Sequence, residues 1–193
     1  MKKLLFVTSL VVLGLLLFSG AALMAVKTTN VSANLVAWKS DGMIGENEYQ
    51  KYQKLGVLEV YSRSDKDNIM LGIQAPTTGY LALGISPEQM MNKADMILMC
   101  VKDGKALAED MYSTGIFGPH PPDTTLGGTN DLQMVSGTEK DGVTVIELKR
   151  KLNTGDKYDK PLTLGKNKVI WATSDSDDFA QKHNQRGAGM LEF

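Results

Sequence analysis

The chain has 193 residues, with 21 lysines and arginines against 22 aspartates and glutamates, two histidines and a single cysteine. Such an even charge balance offers no broad positive field for nucleic acid or for an anionic membrane surface. One cysteine excludes an internal disulfide, cysteine-rich zinc sites, thiolate-held iron–sulfur clusters and the C-x-x-C-H haem attachment, and two histidines exclude a three-histidine metal site within one chain.

The N-terminal segment is an apolar run behind a short basic head. Lys2 and Lys3 precede a stretch without charge over residues 4–26, and Lys27 is the next charged residue. This pattern is typical of a secretory signal, with Ala25 as the small residue at a candidate cleavage point. Because about 20 apolar residues suffice to span a bilayer, an uncleaved membrane anchor is the alternative. Both interpretations place the rest of the chain outside the cytoplasm, whether secreted, periplasmic or on the outer face of the cytoplasmic membrane.

The rest of the chain alternates in the manner of β-strands. Residues 69–74 and 80–85 place an apolar side chain at every second position, which is the period of a half-buried strand. Asp-Gly and Thr-Gly pairs, which favour turns, separate such segments. Further strands are predicted over 143–148, 169–173 and 190–193. Many short strands with turn signals between them predict an all-β fold, an antiparallel β-sandwich.

The sequence predicts a single globular domain behind its N-terminal run. No internal repeat, low-complexity segment or long linker divides the chain. The predicted organisation is a signal peptide or membrane anchor helix over 1–25, a polar stalk over 26–34, and one β-sandwich domain over 35–193. Two segments of that domain, 87–95 and 176–183, are expected to hold a turn or two of helix.

The motifs of the common enzyme classes are absent from the sequence. There is no G-x-S-x-G, H-E-x-x-H, P-loop or G-x-G-x-x-G, and Glu46 and Glu48 fit a surface turn better than a catalytic carboxylate pair. Methionine is more informative, because Met90 and Met91 stand in a predicted loop. A thioether beside an imidazole suits Cu(I) or haem iron. From spacing alone, a Met/His metal site is one hypothesis and the filling of core gaps by methionine is the other.

Seven short blocks in a fixed order resemble one known family. In chain order they are WKSDG at 38–42 with EY at 48–49, GYLALGI at 79–85, MNKADM at 91–96, DMYSTG at 110–115 with DTTLGG at 123–128, LKRKL at 148–152 with TGD at 154–156, WA at 171–172, and HNQRG at 183–187. The blocks resemble DOMON domains, whose core pattern is G-W-x-A-x-G followed by M-x-x-A-D-M. The resemblance covers about residues 35–193.

This resemblance implies an immunoglobulin-like β-sandwich that binds either b-type haem or sugars. In haem-binding members, such as the cytochrome domain of cellobiose dehydrogenase, the axial ligands are a methionine in the loop after the G-W-x-A-x-G strand and a histidine near the C-terminus. By position these are Met91, with Met90 as the fallback, and His183, while Arg186 is placed to pair with a haem propionate.

A chain that holds both kinds of ligand is expected to belong to the haem-binding branch. The resemblance thus implies haem b as cofactor and a cytochrome module that moves single electrons and is not an enzyme by itself, although it could be a subunit of one. The implied partner is a redox protein or a membrane electron-transfer complex, not nucleic acid, and residues 4–26 would provide any membrane anchoring.

Several alternatives stay open at the level of the sequence. Lys182 is a second candidate ligand, because related haem subunits pair methionine with lysine, and His120 is expected in a surface loop. The acidic residues 175–178 could hold Ca²⁺, although aspartate and serine are also common turn formers. The alternative functions are a haem or redox sensor, a Met/His copper carrier, and a carbohydrate-binding DOMON module in which Trp38 and Trp171 would stack on sugars.

Overall fold

The structure, a computed structural model, describes residues 29–30 and 34–193. The signal peptide or membrane anchor predicted over 1–25 and most of the predicted stalk lie outside the described residues. Within the part of the chain that is described, no helix has the length and apolar character needed to cross a membrane.

The described fold consists of two antiparallel sheets. In chain order the strands are β1 Thr29–Asn30, β2 Lys51–Leu55, β3 Leu58–Ser64, β4 Asn68–Ala75, β5 Leu81–Ile85, β6 Asp95–Lys102, β7 Lys105–Tyr112, β8 Gln133–Lys140, β9 Val143–Lys151, β10 Lys166–Thr173 and β11 Gln185–Glu192. The first sheet has the order β1-β2-β3-β4-β9-β8 and the second has the order β11-β10-β5-β6-β7. The predicted all-β antiparallel sandwich is confirmed.

Two Asp-Gly pairs make the tight turns that the sequence predicts. Both residues of Asp103-Gly104 have positive φ, 51° and 72°, and so do both residues of Asp141-Gly142, 53° and 77°. Two successive positive φ angles define the type I′ turn, whose twist matches that of the flanking strands. These turns join β6 to β7 and β8 to β9.

The prediction of a turn or two of helix is wrong for both segments, 87–95 and 176–183. Residues 87–94 and 176–183 lie in loops, Asp95 begins β6, and among the described residues a 3-10 helix occurs instead at Asp123–Leu126. In the first segment the Lys93 amide donates to the Ser113 carbonyl of another loop, at 2.9 Å. Backbone groups that bond across to a neighbouring loop are not available for bonds along a helix.

The main core fills the space between the two sheets. Leu71 and Ile73 of β4 meet Leu83 of β5 and Ile97 and Met99 of β6 there, all of them fully buried. Residues two positions apart on a strand, such as Leu71 and Ile73, point to the same side of the sheet. The alternation seen in the sequence therefore determines which face of each strand points into the core.

The second sheet is apolar on its outer face as well, which simple alternation does not predict. All five residues of β5 are buried, and so are the seven residues from Asp95 to Val101 of β6. The side chains that point away from the main core form an outer apolar cluster that includes Ala82, Met96, Leu98 and Ala172. Because apolar side chains on an outer face need cover from water, this is the face over which loops pack.

The segment before β2 is tied to the first sheet by a buried carboxylate. Glu147 of β9 accepts hydrogen bonds from the Tyr49 hydroxyl at 2.6 Å and from the amides of Gly42 and Asp41 at 2.7 and 3.0 Å. Trp38 donates its indole N–H to the same Tyr49 oxygen at 2.9 Å. Trp38 therefore helps to hold this segment on the first sheet through its hydrogen bond to Tyr49.

Candidate functional site

A pocket of about 360 Å³ lies on the outer face of the second sheet. Its floor consists of small residues on adjacent strands, Ala82 and Gly84 of β5 and Ala172 of β10. Three loops, which follow β5, β7 and β10, contribute the walls. Short side chains on the floor and loops above it leave room for a ligand that lies along the sheet.

Glycine at position 84 keeps the floor of the pocket free of side chains. A Cβ atom here would lie 2.6 Å from Cγ1 of Ile170 and 2.7 Å from Sδ of Met96. Both residues are the cross-strand neighbours of Gly84, on β10 and β6. Their side chains close over the glycine, so a larger residue would push them out of place and fill the pocket.

The loop between β5 and β6 brings two methionines to the pocket. Met90 has a positive φ of 52° and its side chain is 47 % exposed, whereas Met91 is half-buried and packs against the outer apolar cluster. The Met91 amide donates to the Ile116 carbonyl at 3.4 Å, and its carbonyl accepts from the Ala94 amide at 2.9 Å. Because both its amide and its carbonyl are hydrogen-bonded, the backbone of Met91 is fixed in place. This fixed backbone makes Met91 a better candidate than Met90 for a thioether with a defined position.

His183 reaches the pocket from the loop between β10 and β11. The Tyr80 hydroxyl donates to the Gln181 carbonyl at 2.9 Å on one side of the histidine. On the other side, the Asn184 amide donates to the Thr173 carbonyl at 2.8 Å. Tyr80 directly precedes β5 and Thr173 belongs to β10. The two hydrogen bonds therefore fix the loop of His183 to the second sheet, beside the pocket.

The electrostatic surroundings of His183 favour a neutral ring. Burial lowers the pKa of the His183 imidazole, and the positive charge of Arg186 and the proximity of His120 lower it further. A neutral imidazole is the form that binds a metal through a ring nitrogen. Arg186 itself is exposed and lies on β11 opposite Ala172, where its guanidinium can meet an anionic group of a ligand.

The structure brings the three predicted site residues together, since Met91, His183 and Arg186 all line this pocket. Their roles as iron ligands and propionate partner stay predictions. Met90 lines the pocket as well, whereas Lys182 is exposed and is not part of the lining. Position in the fold therefore favours His183 over Lys182 as the second ligand.

His120 lies in a loop, as the sequence predicts, but not on the open surface. It is half-buried and lines the pocket, because the loop after β7 folds back on itself, with the Thr114 amide donating to the Pro119 carbonyl at 3.0 Å. A Cβ atom on Gly118 would lie 4.0 Å from both Cδ2 of His120 and Cε of Met91. These two side chains thus flank Gly118, and the pocket holds two imidazoles.

An apolar rim, defined as Met90, Ile116 and Phe117, borders the pocket. Phe117 is 79 % exposed and Ile116 is 38 % exposed, and all three residues contribute to the lining. Large apolar side chains that stay in water beside a pocket are typical of interaction sites. The sequence offered no signal for Phe117, because one phenylalanine in a glycine- and proline-rich loop has no periodic neighbours.

The pocket offers metal ligands in apolar surroundings. Its described lining includes three methionines and two histidines but no carboxylate, thiol or serine hydroxyl. A thioether and a neutral imidazole bind soft and borderline metals, including haem iron. The arrangement can therefore hold a flat, apolar, metal-containing ligand.

Comparison with known proteins relates the chain to one family. A family model described as the DOMON domain matches residues 57–174. MOXD1 homolog 1 of Drosophila melanogaster is 26 % identical over 131 residues, 68 % of this chain and 19 % of that protein. DBH-like monooxygenase protein 1 of Mus musculus is 28 % identical over 111 residues, 58 % of this chain and 17 % of that protein. The chain thus spans less than a fifth of the length of either relative.

Among solved structures, the cytochrome b domain of pyranose dehydrogenase from Coprinopsis cinerea is similar, with a TM-score of 0.49 and 18 % sequence identity over 69 % of this chain and 74 % of that chain. The family match covers more than half of the 193 residues. It includes β5 and β10, which carry the pocket floor, β6, which adds Met96 and Leu98 to the lining, and the loop of Met91, and it ends before His183. The chain belongs to the DOMON family.

Proposed function

We propose that this DOMON domain is an extracytoplasmic b-type cytochrome module that binds haem between Met91 and His183 and carries single electrons. One observation carries the proposal, namely an apolar pocket that has a thioether and a neutral imidazole in its lining. The two residues are about 90 positions apart in the sequence, and the sandwich brings their loops to the same face of one sheet.

The residues present fit haem in size and in polarity. Ala82, Gly84 and Ala172 offer a flat apolar floor to a macrocycle, and the volume of about 360 Å³ lies within the roughly 300–1,000 Å³ of ligand pockets. A porphyrin would supply four nitrogen ligands to its iron, and Met91 and His183 would hold the iron from the protein side. Arg186 at the edge can pair with a propionate through a charge-assisted hydrogen bond.

The ligand types determine the kind of chemistry that the module would perform. Bound haem supplies a one-electron ferric–ferrous couple. A thioether ligand raises the reduction potential, and the outer apolar cluster excludes water, which tunes the potential in addition. If Met91 and His183 both held the iron, it would have no free place for oxygen or substrate. The residues of this chain therefore support electron transfer, with catalysis left to another domain or protein.

The proposed partner is a redox protein or a membrane electron-transfer complex. The apolar rim lies beside the pocket, where a partner would approach closest to the haem edge. The name of the DBH-like monooxygenase relative is consistent with a DOMON module that works alongside redox chemistry. An extracytoplasmic location is proposed from the apolar run over residues 4–26, which would act as a signal peptide or as an anchor.

An absorption spectrum tests the proposal directly. The purified protein, reconstituted with haemin where it lacks haem, is measured in the oxidised state and after reduction with dithionite. We expect a sharpened Soret band with split α and β bands on reduction, which is the signature of a low-spin, six-coordinate ferrous haem. A colourless protein that takes up no haemin would contradict the proposal. Polysaccharide binding or Cu(I) binding by that protein would then support the carbohydrate-binding or copper-carrier alternative.

Replacing Met91 by leucine is expected to lower the reduction potential and remove one axial ligand while haem still binds. Leucine fills a similar volume, so the packing against the outer apolar cluster changes little, but it carries no sulfur for the iron. The measurement is a spectroelectrochemical titration of the reconstituted variant. Met90→Leu is the matched control and should leave the potential and the low-spin spectrum unchanged. The reverse result would assign the ligand role to Met90.

A further inference from the structure

A second polar feature lies away from the pocket, at one end of the core between the sheets. Asp95 of β6 and Asp110 of β7 point into this space, since Asp95 alternates with Ile97 and Asp110 pairs with Ile97 across the ladder. Asp123 begins the 3-10 helix, and Asp159 lies in the connection between β9 and β10. All four carboxylates are buried.

One guanidinium shares this space with the four carboxylates. Arg150 of β9 is fully buried, and its Nη2 lies 2.9 Å from Oδ2 of Asp95 and 3.4 Å from Oδ2 of Asp159. No other salt bridge to these four carboxylates occurs among the described residues. If all are ionised, three negative charges stay without a partner charge, and uncompensated charge in a protein interior is strongly unfavourable.

Several carboxylate oxygens of this group have no hydrogen-bond partner in the part of the chain that is described. Both oxygens of Asp123 lack one, as do Oδ1 of Asp95 and Oδ1 of Asp110. The charges that act most strongly on Asp123 are those of Asp159 and Asp95, so its carboxylate lies beside the others. Roughly nine in ten buried polar groups have a partner. Nε and Nη1 of Arg150 lack one too, but one guanidinium cannot neutralise four carboxylates, and the surplus of convergent acceptors points to a cation.

The distances suit a cation that binds oxygen. One oxygen each from Asp95, Asp110 and Asp159 lie within 4.8 Å of one another. Calcium binds oxygen at about 2.3–2.6 Å, so two of its ligands are at most about 5 Å apart. It also accepts irregular sets of ligands, whereas Mg²⁺ demands a near-ideal octahedron. We propose that Asp95, Asp110 and Asp159 bind a Ca²⁺ ion between the sheets, with Asp123 as a further negative charge beside it.

A bound ion would connect parts of the chain that are distant in sequence. Asp95 and Asp110 belong to the second sheet, while Asp159 follows β9 of the first sheet. Binding to the folded state alone stabilises that state by mass action. The ion would therefore hold the two sheets together at the end where polar groups replace the apolar core.

Calcium titration of the full chain tests the proposal. The haem-free protein is treated with EGTA in a mildly alkaline buffer and titrated with CaCl₂ by calorimetry, while its melting temperature is followed. We expect saturable binding and a rise in Tm with Ca²⁺ that exceeds the rise with Mg²⁺ at equal concentration. Absence of both binding and a rise in Tm in the wild-type protein would contradict the proposal, and this outcome has no bearing on haem binding.

Substitution of one carboxylate locates the ion. Asp110→Asn keeps an oxygen for the amide of Asp131, which donates to Oδ2 at 2.9 Å, but removes one negative charge. We expect a Kd for Ca²⁺ at least about tenfold weaker and, in EGTA, a Tm no lower than that of the wild type. Asp141→Asn, in an exposed turn with positive φ that asparagine tolerates, is the control and should bind normally. An equal Ca²⁺ response in Asp110→Asn and wild type would overturn the assignment.

Discussion

Replacing His183 by alanine is expected to abolish the low-spin, six-coordinate haem spectrum of the reconstituted protein. The loop around His183 is held by bonds from Tyr80 and to Thr173 that involve neighbouring residues, so the substitution removes the imidazole and leaves the loop in place. Iron that loses one strong axial ligand becomes five-coordinate or binds water, and its spectrum changes to high-spin. The measurement is the absorption spectrum of the variant before and after reduction.

Added imidazole provides the control for this variant. If His183 acts as a ligand, free imidazole can enter the space left by the missing side chain of the His183→Ala variant and bind the iron. The low-spin spectrum would then return, although any damage to the fold would stay. A variant that fails to respond to imidazole because it does not fold would show a changed far-UV circular dichroism spectrum. A His183→Ala protein with an unchanged low-spin spectrum would contradict the ligand assignment.

His120 makes a stringent comparison because it lines the same pocket. Its ring flanks Gly118 together with the Met91 methyl group, so it is the alternative imidazole if His183 is not the ligand. We expect His120→Ala to retain the low-spin spectrum. If His120→Ala loses that spectrum and His183→Ala keeps it, the assignment passes to His120.

The sequence was sufficient for several of the strands and for two of the turns, because those depend on local rules. Alternation at 69–74 and 80–85 gives strands, and the Asp-Gly pairs at 103–104 and 141–142 form the type I′ turns that such pairs favour in hairpins. The burial of β5 and β6 on both faces was less evident. The continuous apolar run from Met96 to Val101 was the available signal, since a strand with no polar face is covered on both sides.

The pocket depended on resemblance and on tertiary structure. Family motifs placed Met91, His183 and Arg186 in one site, and the structure puts all three in its lining. His120 and Phe117 were not foreseen as lining residues, because the path of the loop after β7 is set by contacts with another loop. No periodicity within a single segment encodes such a contact.

The buried acidic group was also missed, for a related reason. Asp95, Asp110, Asp123 and Asp159 are far apart in sequence, and only the pairing of strands and the return of a loop bring them together. One local signal existed in β9. Ile146, Leu148 and Arg150 occupy alternate positions, so the period that directs the first two into the core also directs the arginine there.

Replacing Arg150 by methionine is expected to destabilise the fold by about 3–5 kcal/mol. Methionine keeps much of the apolar stem but removes the charge that lies 2.9 Å from Asp95 and 3.4 Å from Asp159. Two buried carboxylates then lose their cation, and the penalty for isolated buried charge exceeds the value of the pair itself. The measurement is urea unfolding in EGTA, so that no added metal compensates for the arginine.

Two further variants separate charge from packing at this position. Lys149→Met removes a neighbouring positive charge from the opposite face of β9, where the side chain is half-exposed, and should change stability by within about 0.5 kcal/mol. Combining Arg150→Met with Asp95→Asn should recover part of the loss, because the double variant no longer buries an unpaired Asp95 carboxylate. If the double variant were less stable than the sum of the single changes predicts, the arginine would act through its packing, and the core at this end of the sandwich would not depend on compensated charge.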